Sequence, residues 1–284
     1  MRNIITKKPK TNLKLETKVV KDIFVTFLAL NALGYNDENN KGGMHPARKK
    51  ARNILQKYNW NKKYPHLKKD LKKTGPWYLI RTLLEKSNNI KRIKISNNSF
   101  VLNLKNFTKE PLIKKAWKVF KNYHLKEAQK LFPIFKKEII RMIAFINKSP
   151  ENLKKIILIP NLLDAYWRGY GLKIENIGYI VVGPGAEKNH GELIRHELLH
   201  ILVPQYRVPL HFIFKKDHRQ IAKLGYTSQN IIRREYIILS LNLLYESEIL
   251  KKNIEQAIIR KKRYFPHLQE VIEIIKKRLT KLTK

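Results

Sequence analysis

Residues 196–200 read His196-Glu197-Leu198-Leu199-His200. Two histidines four positions apart lie on one face of a helix, about one turn from each other, close enough for both imidazoles to reach a single Zn²⁺. Glu197 directly follows the first histidine, which sets its carboxylate beside the metal position rather than on it. There it can take a proton from an attacking water. One helical turn thus supplies two ligands and a base. The alternative is two core histidines bonded to backbone, with Glu197 paired to Arg195 or a lysine. The flanking residues weigh against it. Leu193, Ile194, Leu198, Leu199, Ile201, Leu202 and Val203 make the segment apolar nearly all round, so it is a buried helix. Two histidines and a glutamate inside it need partners, since burying unpaired polar groups costs several kcal/mol, and one divalent ion would supply them. Asn189 and Glu192 are spaced as an N-cap and its N3 partner, and Pro204 ends the helix.

A catalytic zinc site takes three protein ligands and keeps one position open. Motifs that continue with a glycine and a third histidine are excluded, because Val203 and Tyr206 stand at those positions. Glu235 is the expected third ligand. It sits on a helix over 228–247 whose same face carries Ile231, Ile232, Ile238, Leu239 and Asn242, so its carboxylate points into apolar surroundings and needs a cation or several hydrogen bonds. Glu246, further along that face, is the rival, or a partner to a ligating histidine. The plainer readings are an ion pair of Glu235 with Arg233 or Arg234 and a helix-end carboxylate for Glu246. Of the 9 histidines, His190, His196, His200, His211 and His218 fall between 190 and 218. His211, His218 or Asp217 could ligate or act as an electrophile. A developing oxyanion wants a donor besides zinc, and Tyr206, Tyr226, Tyr245, Arg195 and His211 are available for it.

The elements that must position these groups are mainly helical. Apolar residues recur at helical spacing over 15–34, and further helices are expected from Pro46 and over 76–87, 110–121 and 124–147, with Pro133 bending or breaking the last. The texture changes after Ser149. Lys155–Pro160 and Ile177–Val182 read as strands, Gly169-Tyr170-Gly171 and Gly183-Pro184-Gly185 as turns rather than a nucleotide fingerprint. Helices resume over 190–203, 228–247 and 265–281. The expectation is an α+β protein, mainly helical, with a small sheet preceding the buried motif helix. Residues 1–150 would form a helical region packed on a catalytic region, 151–284, in one continuous globular unit. The strand at 177–182 would be either a plain core strand or an edge that holds a substrate backbone as an added strand.

Composition bounds the alternatives. With 284 residues, 43% hydrophobic, the chain can bury a sizeable core. It has no cysteine, so any metal must rest on His, Asp and Glu; this also fits a reducing compartment, with the cytoplasm as the default. The apolar run from Ile23 to Leu33 is too short to span a membrane, and Glu16 and Asp22 ahead of it do not suit a signal peptide. The net charge of +38 admits weak nonspecific binding to polyanions, and a basic helical nucleic-acid-binding protein is the competing function. Yet the lysines are scattered along the chain and outnumber the arginines, which fits codon bias better than a dedicated nucleic-acid surface.

At His196-Glu197-Leu198-Leu199-His200, followed by Arg234-Glu235-Tyr236 on a later helix, the chain resembles the gluzincin class of zinc metallopeptidases, thermolysin-like in the broad sense. Tyr179-Ile-Val-Val-Gly-Pro before Leu193-Ile-Arg-His-Glu-Leu-Leu-His, and Leu33-Gly-Tyr-Asn-Asp-Glu-Asn-Asn with Met44-His45-Pro46, look like uncharacterised bacterial proteins assigned to that class. The resemblance implies a zincin-like fold, one Zn²⁺ per chain on His196, His200 and Glu235, Glu197 as general base, and a peptide or protein substrate. One departure is plain: the acidic residue that thermolysin-like enzymes carry four positions after the ligand glutamate is Leu239 here. A zinc-binding but inactive scaffold is therefore a further expectation to be tested.

Overall fold

The computed structural model describes residues 13–36, 43–56, 58–88, 98–146, 152–187, 191–203, 210 and 228–282. It is an α+β protein, mostly helical, with one small mixed sheet. Among the described residues no helix is long and apolar enough to cross a membrane. The chain divides into two compact units. One takes the described residues of 13–135 and 153–194, the other those of 136–152 and 195–284. Each therefore draws on both sides of residue 150.

The first unit holds the sheet. Strands β1 (Lys14–Thr17), β2 (Lys155–Pro160), β3 (Gly169–Ile174) and β4 (Ile177–Val182) are ordered β1-β2-β4-β3. β1 and β4 lie parallel to β2, and β3 turns back antiparallel on β4. β2 and β4 read as unbroken apolar runs because they are the interior strands; five of the six residues of each are fully buried. Two elements differ from the sequence expectation. The predicted helix over 15–34 starts only at Lys21, because Lys14-Leu-Glu-Thr alternates and adds to the sheet edge beside β2. Gly169-Tyr170-Gly171 is not a turn but the start of β3, whose Tyr170, Leu172 and Ile174 are buried at period two. β3 thereby covers one side of β4 and β2 the other, so Ile177–Val182 has no free edge to offer a substrate. It is a plain core strand.

Gly183 and Gly185 end β4 at a short 3₁₀ turn, Pro184–Ala186, as expected of a turn there. A Cβ on Gly183 would lie 2.3 Å from the Ala165 carbonyl oxygen, and one on Gly185 2.4 Å from the Trp167 ring, so the connection after β2 packs where only glycine leaves room. Helices α1 (Lys21–Ala32), α2 (Pro46–Gln56), α3 (Trp60–Lys63), α4 (Pro65–Lys73), α5 (Pro76–Ser87) and α6 (Asn98–Thr108) complete this unit together with the first part of α7 (Pro111–Ile146). Phe24, Phe27, Leu79, Phe107 and Phe120 from these helices join Ile157, Ile159, Tyr179 and Val181 from the sheet in one apolar core.

α7 replaces the two helices predicted at 110–121 and 124–147. It runs through Pro133 without interruption. Pro133 is exposed, so the backbone carbonyl its ring deprives of a hydrogen bond faces the solvent side, where the cost of the break is least.

The second unit is helical: the end of α7, then α8 (Glu192–Leu202) from Arg195 onward, α9 (Gln229–Glu248), α10 (Glu255–Lys262) and α11 (Leu268–Leu282). Ser228 caps α9, accepting a hydrogen bond at Oγ from the Ile231 N–H at 3.3 Å. α9 packs on the segment leading into α11 through Tyr236, whose ring meets Phe265 edge-on at 5.1 Å and whose hydroxyl accepts from the His267 N–H at 3.4 Å.

Candidate metal centre

α8 is buried nearly all round, as its composition requires. From Leu193 to Val203 every residue is buried except His196 and His200, which are about one-fifth exposed. The only strip the helix opens to its surroundings is thus the one carrying the two imidazoles. The four-residue spacing sets their ring centroids 5.0 Å apart, and the rings turn so that the two Nε2 atoms are 3.2 Å from each other.

Glu235 meets them from α9. Its side chain is 3% exposed, with Oε1 3.3 Å from His200 Nε2 and Oε2 3.7 Å from His196 Nε2. Arg234, beside it, donates from Nη2 to the His200 carbonyl oxygen, and so ties the last turn of α8 to α9. At the other end of α8, Arg195 reaches Glu246 of α9 at 3.1 Å. The helices therefore run antiparallel, which is what brings residue 235 opposite residues 196–200. Glu197 is buried, and a carboxylate oxygen of it lies within 4.8 Å of a ring nitrogen of each histidine.

Both rings are held neutral. Burial, and after it the charge of Lys261, pulls His196 down to about 4. His200 is pushed well below the usual histidine range by burial, then by His196 and Arg234. A neutral imidazole keeps a lone pair for a cation, whereas two neutral rings facing each other without one can share only a single N–H···N bond.

The donor set fits a small divalent ion. Ligand atoms about 2.0–2.1 Å from a tetrahedral zinc stand roughly 3.3–3.5 Å apart. Here the two Nε2 atoms stand 3.2 Å apart, and the two oxygens of the Glu235 carboxylate face them, Oε1 3.3 Å from His200 and Oε2 3.7 Å from His196.

Of the other residues considered from sequence, Tyr206, His211 and Tyr226 lie outside the described residues, as do Asn189, Asp217 and His218. Glu246 and Tyr245 do not join this group. They follow Glu235 by eleven and ten positions on α9, about 15 Å along its axis. Glu246 is engaged by Arg195 and by Lys252 at 3.6 Å rather than by a ligating histidine. The Tyr245 hydroxyl donates to Glu138 Oε2 at 3.2 Å, and burial followed by the Glu138 charge pushes it up to about 12. Asn242 is buried on the Glu235 face, with no hydrogen-bond partner for its Oδ1 among the described residues. Ile231, expected on that buried face, is 42% exposed at the start of α9.

Sequence reasoning did not find Glu138. Its signal was present: it occupies the apolar stripe of α7 marked by Leu131, Phe135, Ile139 and Met142, where a carboxylate must be paired. The tie of Arg234 to the His200 carbonyl was not foreseen either; sequence reasoning paired Arg234 with Glu235. No family model matches this chain, and neither a characterised protein nor a solved structure shows significant similarity to it.

Proposed function

We propose that the chain is a zinc-dependent hydrolase, more narrowly a gluzincin-like metallopeptidase, with one Zn²⁺ per chain on His196, His200 and Glu235. The observation that carries this reading is the convergence of donors on the one open strip of a buried helix: two Nε2 atoms 3.2 Å apart, faced by the Glu235 carboxylate with Oε1 3.3 Å from one and Oε2 3.7 Å from the other. Two neutral imidazoles and one carboxylate form a usual catalytic set, which leaves a fourth position for water or substrate. Bound zinc supplies Lewis acidity, acidifying a water and polarising a carbonyl. Glu197 lies close enough to accept the proton of the attacking water and return it to the leaving amine. Arg234 holds the last turn of α8 and so keeps His200 aimed at Glu235.

Metal analysis of the purified protein is the first test; about one zinc per chain, removable by a chelator, is expected. Hydrolysis of an unfolded protein such as casein should then fall by on the order of 10²–10⁴-fold in Glu197→Gln with zinc retained, as loss of a general base does. Zinc without hydrolysis would identify a scaffold instead, and absence of zinc would remove the reading altogether.

A second property follows from charge. Lys114, Lys115, Lys118, Lys121, Lys126 and Lys130 all stand exposed on α7, within a chain of net charge +38. This favours weak, salt-sensitive association with polyanions alongside the hydrolase, and a shallow decline of log K with log salt would register it. The cysteine-free sequence suits a reducing compartment, and we place the protein in the cytoplasm.

A further inference from the structure

Next to the two imidazoles and Glu235, three helices meet at a cluster of buried charge. Arg195, 1% exposed and immediately before His196, donates from Nη1 to Glu138 Oε2 of α7 at 2.9 Å and from Nη2 to Glu246 Oε1 of α9 at 3.1 Å. Its guanidinium lies 5.0 Å over the Tyr245 ring, whose hydroxyl donates to the same Glu138 oxygen, and Phe145 closes edge-on against that ring at 5.6 Å. Two carboxylates thus grip one planar fork of donors, whose directions are fixed.

Such a cluster is a poor source of stability, because desolvating the charges offsets most of their attraction. What it fixes is register. Arg195 and the ligands His196 and His200 ride on the same rigid helix, while Glu246 and the ligand Glu235 ride on the helix facing it. A slide or rotation of α8 against α9 that breaks the Arg195 fork also changes the Nε2-to-carboxylate separations of 3.3 and 3.7 Å. We propose that Glu138, Arg195 and Glu246 form a brace that sets the register of α8 on α9, so that the three ligands stand assembled before a metal arrives. Arg195 is then a positioning residue; it touches neither metal nor substrate. The inference rests on the zinc reading of the site.

The test measures zinc affinity of the full chain by competition with a chromogenic chelator. It compares wild type, Arg195→Met, Glu246→Gln, Glu235→Ala and the two brace changes each combined with Glu235→Ala, with folding followed by circular dichroism. Arg195→Met is expected to weaken zinc binding about 10–100-fold, the usual range for groups that orient ligands, and Glu246→Gln to weaken it in the same direction by less. In the Glu235→Ala background either brace change should add no more than about twofold, because there is no facing ligand left to align. If Arg195→Met does not fold, the Glu246→Gln pair decides by the same comparison. Folded brace variants with wild-type affinity would overturn the brace alone, and so would an equal loss with and without Glu235. A wild-type chain that binds no zinc would overturn the zinc reading and the brace with it.

Discussion

Two histidine sites, one in each unit, show what separates a structural imidazole from a proposed metal ligand. His124, on α7 in the sheet-bearing unit, is 2% exposed and meets the Phe24 ring edge-on at 5.6 Å. Its Nδ1 faces the Phe120 carbonyl oxygen at 3.0 Å, and its Nε2 accepts from the Leu162 N–H at 3.3 Å. Burial, partly opposed by the Phe120 carbonyl and helped by His45, holds it at about 4, the same value as His196. A depressed pKa therefore does not tell the two apart. Direction does. Both nitrogens of His124 are matched one-to-one with backbone groups, whereas the Nε2 atoms of His196 and His200 converge on each other and on a carboxylate.

The largest expected effect breaks this symmetry directly. His200→Ala should abolish stoichiometric zinc binding at micromolar metal, because it takes away one of the three proposed protein ligands. His124→Leu should leave zinc affinity unchanged and instead cost about 1–3 kcal/mol of stability, the penalty for stranding the Leu162 N–H. Isothermal titration with zinc and denaturant unfolding of the two variants make the check. A zinc affinity lost in His124→Leu, or kept in His200→Ala, would reverse the assignment.

The next effect is pH-dependent. His124 titrates near 4 in the folded chain and near 6.5 when unfolded, so between those values the unfolded state binds more protons. Its neutral form therefore contributes stability that is complete above pH 6.5 and is lost as pH falls through 4, at most about 3 kcal/mol. Unfolding in urea at pH 7 and at pH 4.5 should show wild type losing more stability on acidification than His124→Leu. Equal losses would mean that this ring is not depressed in the folded chain.

How much of this was legible in the sequence depends on how local the cause was. The His196–His200 pair was fully legible, since one helical turn fixes its geometry and the apolar flanks fix its burial. Glu235 could be inferred because a carboxylate on an apolar helix face needs a cation. β1 and β3 were not legible: Lys14-Leu-Glu-Thr is too short and polar to outweigh the helical pattern after it, and the glycines of Gly169-Tyr170-Gly171 speak for a turn until β4 is there to pair with. The single α7 was misread because a proline counts as a break unless its exposure is known. Glu138 was passed over for a similar reason, as its partner Arg195 lies 57 positions away in the chain and only tertiary packing joins them.

The smallest effect tests where the brace ends. Glu246 Oε1 receives two cations, the Arg195 guanidinium at 3.1 Å and the Lys252 ammonium at 3.6 Å, but Arg195 is 1% exposed and Lys252 53%. The lysine arm is solvated and screened, so its pairing contributes between nothing and about 1 kcal/mol. Lys252→Ala should accordingly change the unfolding midpoint very little and leave zinc affinity as it is, while Glu246→Gln, at the other end of the same contact, weakens it. If Lys252→Ala weakened zinc binding as much as Glu246→Gln does, the net charge on Glu246 would govern the site, rather than the register that the buried arginine imposes.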